Sequence, residues 1–298
     1  MGNTPSASAK MIAAMAIFGT LAPFVRQTGL PSGELALYRA LIAVAVIGLY
    51  LALRGERVAW RQLKGELPLL AVSGAAMGVN WILLFQAYRY TTVSIATLSY
   101  YFAPVIVMIA CPLLFRERMT RRQVACFALS TLGLVLVIGL GGPAAEQDHL
   151  RGILFGLGAA VFYAAVILMN KGLRQTAGLP RTVLQMLAAI VVLTPYVACT
   201  GGFHPELLDG TGWVCLLIVG LVHTGLAYCL YFSALKDLQG QRTAILSYVD
   251  PLVAVAVSVL VLGEGIGPWQ LLGGGLILGC TLWNELGTAG AKNSRRGY

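Results

Sequence analysis

The chain has 298 residues with a mean hydropathy of +0.78; 58% are hydrophobic and 11% charged, where a soluble domain carries roughly 25% charged residues. So few charges cannot cover a water-facing surface. A soluble globule, a disordered chain, a coiled coil and a disulfide scaffold are excluded, and an integral membrane protein remains. The net charge of +9 sits in short gaps between apolar runs, with no basic stripe interleaved with aromatics, so no nucleic-acid partner is expected.

In chain order, a polar start through Lys10 gives way to an apolar run at Met11. The cleavage-like Ala7-Ser8-Ala9 precedes that run, the wrong order for a signal peptide, so the run is expected to stay as a helix. A span needs about 20 apolar residues to cross about 30 Å of hydrocarbon. Ten runs qualify: 9–28, 33–53, 66–89, 92–114, 122–140, 150–170, 181–199, 212–235, 242–262 and 268–287. The predicted fold class is an all-α polytopic membrane protein with almost nothing outside the bilayer. The six cysteines lie in apolar runs without a C-x-x-C pair, so they read as small core residues, and no metal site or cofactor is expected.

Loop charges orient the chain. With the N-terminus inside, 17 of the 21 Lys and Arg fall in cytoplasmic segments: Lys10; Arg54, Arg57, Arg61 and Lys64; Arg116, Arg118, Arg121 and Arg122; Lys171, Arg174 and Arg181; Lys236 and Arg242; Lys292, Arg295 and Arg296. Arg26, Arg89 and Arg151 fall outside, and Arg39 lies within the second run. This bias predicts both termini cytoplasmic.

The chain also repeats itself. An offset of 147 residues aligns Gly78 with Gly225, Phe85 with Phe232, Tyr101 with Tyr248, Pro104 with Pro251, Glu117 with Glu264 and Gln123 with Gln270. Earlier, Gln27-Thr28-Gly29-Leu30-Pro31 echoes Gln175-Thr176-Ala177-Gly178-Leu179-Pro180 with one insertion. The reading is a five-helix unit written twice, 1–145 and 146–298. Five is odd, so the second unit enters the membrane from the opposite side. Inverted repeats are a recurring transporter plan with the site near the midplane.

Ten helices in two inverted halves, Arg39 early in helix 2, and the paired Pro…Glu segments of helices 4 and 9 resemble the drug/metabolite transporter superfamily. The likeness covers nearly the whole chain and is nearest its EamA-type branch and, within it, the bacterial aromatic amino-acid exporters. The resemblance implies a multi-pass protein of the bacterial inner membrane. It also implies peripheral helices 5 and 10 and a central cavity enclosed by the rest.

Candidate site residues follow from helical spacing. Pro104 and Pro251 remove one backbone donor each, freeing the carbonyls of Tyr100 and Ser247, and read as a pair of hinges or as packed kinks. On helix 4, Thr97, Tyr101, Pro104 and Met108 share a stripe; on helix 9, Ser247, Pro251 and Ser258 do. Helix 3 offers Met77, Asn80, Trp81 and Tyr88, and helix 8 offers Thr224, Tyr228 and Tyr231. The offset pairs Trp81 with Tyr228. An aromatic-walled cavity with hydroxyls suits an amphipathic solute, and interhelical packing is the competing account. Tyr88 and Tyr90 are expected in the interfacial belt.

Three ionisable groups, Arg39, His223 and Asp250, lie away from the run ends, where a charge costs about 2.5–3.5 kcal/mol to insert. Arg39, about 9 Å from the outer helix end at 1.5 Å per residue, snorkels outward or orders the cavity mouth. Asp250, with Ala103 as its counterpart, contacts an amine, carries a proton or bonds a neighbouring hydroxyl. His223 is a coupling candidate or a satisfied core group. Glu117 and Glu264, at opposite faces, share a capping or gating job. The glycine pairs Gly74/Gly78, Gly152/Gly156 and Gly275/Gly279 allow close approach of helices within one chain, or of two chains; a monomer is expected.

The expected function is a secondary transporter exporting small amphipathic metabolites, amino acids including aromatic ones foremost, by alternating access around the central cavity. Other solutes on the same fold (drugs, nucleosides or sugars) are the alternative. Mid-membrane Lys is absent, against phosphate-bearing cargo, and helix 1 has no deep Glu, against a small-multidrug antiporter. No enzyme is expected, because paired aspartates, a recognisable Ser–His dyad and H-E-x-x-H are all missing. No ATP-binding loop is present, so a gradient must drive transport.

Overall fold

Apolar runs of membrane length become helices because a backbone in hydrocarbon has only itself to satisfy its N–H and C=O groups. The computed structural model describes residues 4–55, 65–115, 120–139, 147–173, 178–235, 238 and 246–294. Helices α1 (Thr4–Gly19) and α2 (Leu21–Gln27) form the first span, α3 (Ser32–Leu53) the second and α4 (Leu67–Tyr90) the third. The fourth is α5 (Val93–Tyr100) with α6 (Ala103–Phe115); α7 (Arg121–Gly139), α8 (Gln147–Gly172) and α9 (Gly178–Cys199) follow. The eighth joins α10 (Gly210–Leu217), a π-helical segment (Ile218–Leu226) and α11 (Ala227–Leu235), and α12 (Val249–Leu260) and α13 (Pro268–Ser294) complete the chain. Seven described stretches are each long and apolar enough to cross a membrane. With α7, α12 and α13 they make the ten spans of a multi-pass all-α membrane protein.

Three spans are interrupted where the sequence reading had them continuous. The first divides at Thr20 because Pro23 offers no donor to the Gly19 carbonyl. The fourth divides at Tyr101 and Phe102, just before Pro104, and the offset carries that break to Tyr248, just before Pro251. Both prolines therefore sit in the first turn of a new helix, where a missing N–H is tolerated, and the bend falls ahead of them. The eighth span widens into a π segment that its α-like periodicity did not signal.

The packing obeys the repeat. We call the side on which α1 begins the N-terminal face and the other the far face. Helix α4 packs along α8 as α11 packs along α1; α9 packs on α4 as the π segment packs on α3; α5 packs on α8 as α12 packs on α1. Exchanging the halves maps each pair onto its mate, and α3–α9, α5–α12 and α7–α13 onto themselves. The two halves are thus inverted copies around a shared axis. Helices α7 and α13 lie at the periphery and pack chiefly on each other, with Leu132, Leu271 and Leu272 outward. Phe85, Leu35, Met186, Leu193 and Val219 form the buried core between α3, α4, α9 and the π segment.

Close crossings depend on missing side chains. A Cβ on Gly74 would stand 2.3 Å from the Gln185 carbonyl oxygen, and one on Gly19 would stand 2.6 Å from that of Asp250. Gly78 meets Leu193, Gly152 meets Thr91 and Gly156 meets Ser99. Gly275 and Gly279 meet nothing within 4 Å among the described residues, so this pair does not serve internal packing. Cys126, Cys215 and Cys280 are buried, whereas Cys199 is exposed at the end of α9. Glu117, the 145/146 boundary, and Arg57, Arg61, Lys64, Arg116, Arg118, Arg174, Lys236, Arg242, Arg295 and Arg296 lie outside the described residues.

Candidate functional site

A cavity of about 510 Å³ lies between the two halves, within the range of small-molecule sites. Its wall is largely aromatic: Phe18, Trp81, Tyr88, Tyr100, Tyr101, Tyr163, Tyr228, Tyr231, Phe232 and Tyr248. The rings support one another. Phe18 meets Tyr228 edge-on at 5.4 Å between centroids, Tyr100 stacks on Tyr163 at 5.2 Å, and Tyr228 stacks on Phe232 at 6.1 Å. Asn170, Thr182 and Gln185, near the N-terminal-face ends of α8 and α9, extend the wall toward that face.

Arg39 lines the cavity yet is only 4% exposed. Its guanidinium lies 4.7 Å above the Trp81 ring and 5.6 Å from Phe85. Its Nε donates to Thr224 Oγ1 at 2.7 Å. The π segment sets up that contact: the Thr224 hydroxyl donates to the Val219 carbonyl five residues back at 2.9 Å, which leaves its oxygen turned to α3. Gly220 and Gly225 abut Ile42 and Val46 of α3, so only small residues allow this approach. π-segments of this kind recur at functional sites.

On the second half, Asp250 sits in the first turn of α12, where the helix dipole favours a carboxylate. Its Oδ2 accepts from Tyr101 Oη at 2.6 Å, so the breaks of the fourth and ninth spans are joined by a hydrogen bond. Asn80 donates to the Ala159 carbonyl at 2.7 Å, which fixes α4 to α8. Gln185 Nε2 donates to Ser73 Oγ at 2.7 Å and to Asn170 Oδ1 at 2.8 Å.

A polar cluster ties spans together at the far face. Arg26 of α2 pairs with Glu264, which follows α12, and donates to the carbonyls of Tyr88 at 2.8 Å and Thr91 at 2.7 Å. Glu264 also accepts from Ser258 Oγ and, at 2.8 Å, from the Val93 N–H at the start of α5. Gly263, at φ +64°, turns the chain so that the carboxylate points back. One glutamate thus ties the first, fourth and ninth spans, and Arg26 adds the third.

Residues 6–139 and 150–284 match the EamA-like transporter family, one segment in each half. The chain belongs to the EamA-like transporter family. It is 29% identical over 265 residues to the uncharacterized transporter YxxF of Bacillus subtilis, covering 89% of this chain and 84% of that one. It is 28% identical over 222 residues to the threonine/homoserine exporter RhtA of Escherichia coli, covering 74% and 72%. A probable amino-acid metabolite efflux pump of Salmonella typhimurium is 28% identical over 192 residues, covering 61% and 63%. A solved crystal structure at 19% identity shares the fold, with a TM-score of 0.63 over 93% of this chain and 96% of that one. EamA proteins belong to the drug/metabolite transporter superfamily, and this chain is a transporter and not an enzyme.

Within this EamA fold, Arg39, Asn80, Trp81, Thr97, Tyr101, Pro104, Tyr228, Ser247 and Asp250 all stand in the cavity wall. Three of the sequence candidates stand behind it. Thr224 faces Arg39, as above. His223 sits between the first and eighth spans, 3.1 Å from Thr20 Oγ1 and 3.3 Å from the Ile218 carbonyl, against Phe24. Pro251 is buried in α12. Met108 packs with Val105, Cys126 and Cys280 instead of joining the stripe, and Ser258 belongs to the far-face cluster. Arg39 does not snorkel. Tyr88, read as a belt residue, is 7% exposed and lines the cavity because the Arg26–Glu264 cluster stands beyond it. Tyr90 stacks on Phe155 at 5.5 Å. Tyr100, noted for its freed carbonyl, and Tyr248, noted as the repeat partner of Tyr101, also place their rings in the wall. Tyr163, Asn170, Thr182 and Gln185 carried no sequence signal of their own.

Proposed function

We propose that this EamA protein exports small amphipathic metabolites, amino acids including aromatic ones foremost, by alternating access of its two halves around the central cavity. The observation that carries the reading is the cavity itself: stacked rings with polar tips, one guanidinium and one carboxylate, on a fold whose relatives include a threonine/homoserine exporter. The Lys and Arg bias of the loops supports a cytoplasmic N-terminal face, in the bacterial inner membrane that the family resemblance implies. A cavity wall that continues to Asn170, Thr182 and Gln185, with the Arg26–Glu264 pair tying the spans on the opposite face, then fits loading from the cytoplasm. Pro104 and Pro251, each directly after a helix break, are the hinges of this scheme.

Proteoliposomes containing the chain alone test it against a panel of the twenty amino acids. Aromatic amino acids are expected to enter faster than into empty liposomes, and Trp81→Ala or Tyr228→Ala to slow that uptake about tenfold, the loss of a stacked ring from a binding wall. Uptake equal to empty liposomes across the whole panel overturns the proposal. An imposed pH gradient in the same liposomes reads proton coupling.

A further inference from the structure

We infer that Arg39 and Asp250 read the two ends of a zwitterion: the guanidinium takes the carboxylate of the substrate, and the Asp250 carboxylate, held by Tyr101, takes its ammonium. The inference rests on the transporter reading above and assigns specificity to two side chains of its cavity.

The first ground is an uncompensated cation. Arg39 is buried, its Nε is engaged by Thr224, and its plane is held over Trp81 and Phe85. Its terminal Nη1 and Nη2 donors have no acceptor among the described residues, and they belong to a side chain of the cavity wall. A buried charge without a partner is costly. The planar fork of donors matches the two oxygens of a carboxylate. The second ground is an anion in the same cavity that the cation does not neutralise. No ion pair joins Arg39 to Asp250 among the described residues. Asp250 uses Oδ2 for Tyr101, while Oδ1 has no hydrogen-bond partner among the described residues. Opposite charges held apart in one enclosed space invite a ligand carrying both signs. Asp250 also disfavours phosphate and other anionic cargo that Arg39 alone would accept. The aromatic rings of the same wall receive an apolar side chain.

The test uses purified full-length protein and two chemical series, read by ligand-induced thermal stabilisation, which rises with affinity. One series is tryptophan, tryptamine and indole-3-propionate; the other is leucine, 3-methylbutylamine and 4-methylpentanoate. In wild type, at least one amino acid is expected to bind about tenfold to a hundredfold more tightly than both its amine and its acid, the loss of one charge-assisted contact in each case. Arg39→Gln is expected to bring that amino acid level with its amine, and Asp250→Asn to bring it level with its acid. Arg39→Lys is expected to keep part of the preference. A collapsed site would lose all ligands together and could not produce this crossed pattern. An amine or acid that binds as tightly as its amino acid in both series overturns the inference, as does the absence of binding by all six compounds. Amino-acid flux into liposomes without that discrimination sinks the inference alone; no flux in the panel sinks the export reading.

Discussion

The two halves of the molecule share their packing and differ in their charges. The main contacts between the halves come in mates, α4 on α8 with α11 on α1 and α5 on α8 with α12 on α1, and the cavity wall follows suit. Trp81 faces its counterpart Tyr228, Leu84 answers Tyr231, Tyr100 answers Ser247 and Tyr101 answers Tyr248. The acidic, basic and histidine groups deep in the spans do not follow. Asp250 stands where the first half has Ala103, and His223 where it has Ala76; carrying the Pro31–Pro180 pairing forward puts Ala188 opposite Arg39. Repetition builds a scaffold that two conformations can share, whereas a ligand with unlike ends needs unlike walls. The departures from symmetry therefore mark the binding chemistry more sharply than the symmetry does.

The largest expected effect lies where the halves are tied together on the far face. Glu264→Ala removes the partner of Arg26 and the acceptor for Ser258 and the Val93 N–H at once. Breaking a half-buried pair that holds several helices should lower stability by about 2 kcal/mol, and thermal melting of the purified protein by about 5 °C. Glu264→Gln keeps an oxygen acceptor and should lose less. An unchanged melting curve for Glu264→Ala would show that the halves are held by apolar packing alone.

A smaller effect is expected behind the unpaired cation. Thr224→Val preserves volume, as befits a contact against α3, but gives up the hydrogen bond to Arg39 Nε. The guanidinium still rests on Trp81, so substrate affinity should weaken by about three- to tenfold, the net worth of one hydrogen bond. Melting should fall by about 3 °C, because the buried Arg39 Nε loses its acceptor, and Thr224→Ser should keep both affinity and melting. A loss of maximal uptake with unchanged half-saturation would instead assign Thr224 to the transport motion and not to the position of Arg39.

How much of this was readable beforehand depends on which force acts. Span number was legible because an apolar run of about 20 residues can satisfy its own backbone in hydrocarbon as a helix, and the repeat because Pro, Glu and Gln recur at one offset. Asn80, Trp81, Tyr101, Tyr228 and Asp250 were legible because helical spacing places polar tips and rings on common stripes. Thr224 was misplaced because a π segment shifts the register, and nothing in Ile218–Leu226 advertises the widening. Tyr88 was misplaced because its depth depends on Arg26 and Glu264, which are 238 residues apart in sequence. Gln185 and Asn170 escaped notice because amides near span ends look like ordinary loop flanks. Their mutual hydrogen bond is a tertiary fact.

The smallest expected effect separates two glycine pairs of identical spacing. Gly74 and Gly78 let α4 press on α9, and a Cβ at Gly74 has no room. Gly279 is exposed on α13 and a Cβ there meets nothing within 4 Å among the described residues. Its backbone is helical, so glycine there only adds entropy to the unfolded chain. Gly279→Ala should therefore stabilise the monomer by about 0.4–1 kcal/mol, raising the melting temperature by a degree or two with transport unchanged. The sign carries the argument. A destabilised or dissociated protein would mean that the open face of α13 is covered in the membrane by another chain, and that the shared i, i+4 spacing serves contact within the molecule at one site and between molecules at the other.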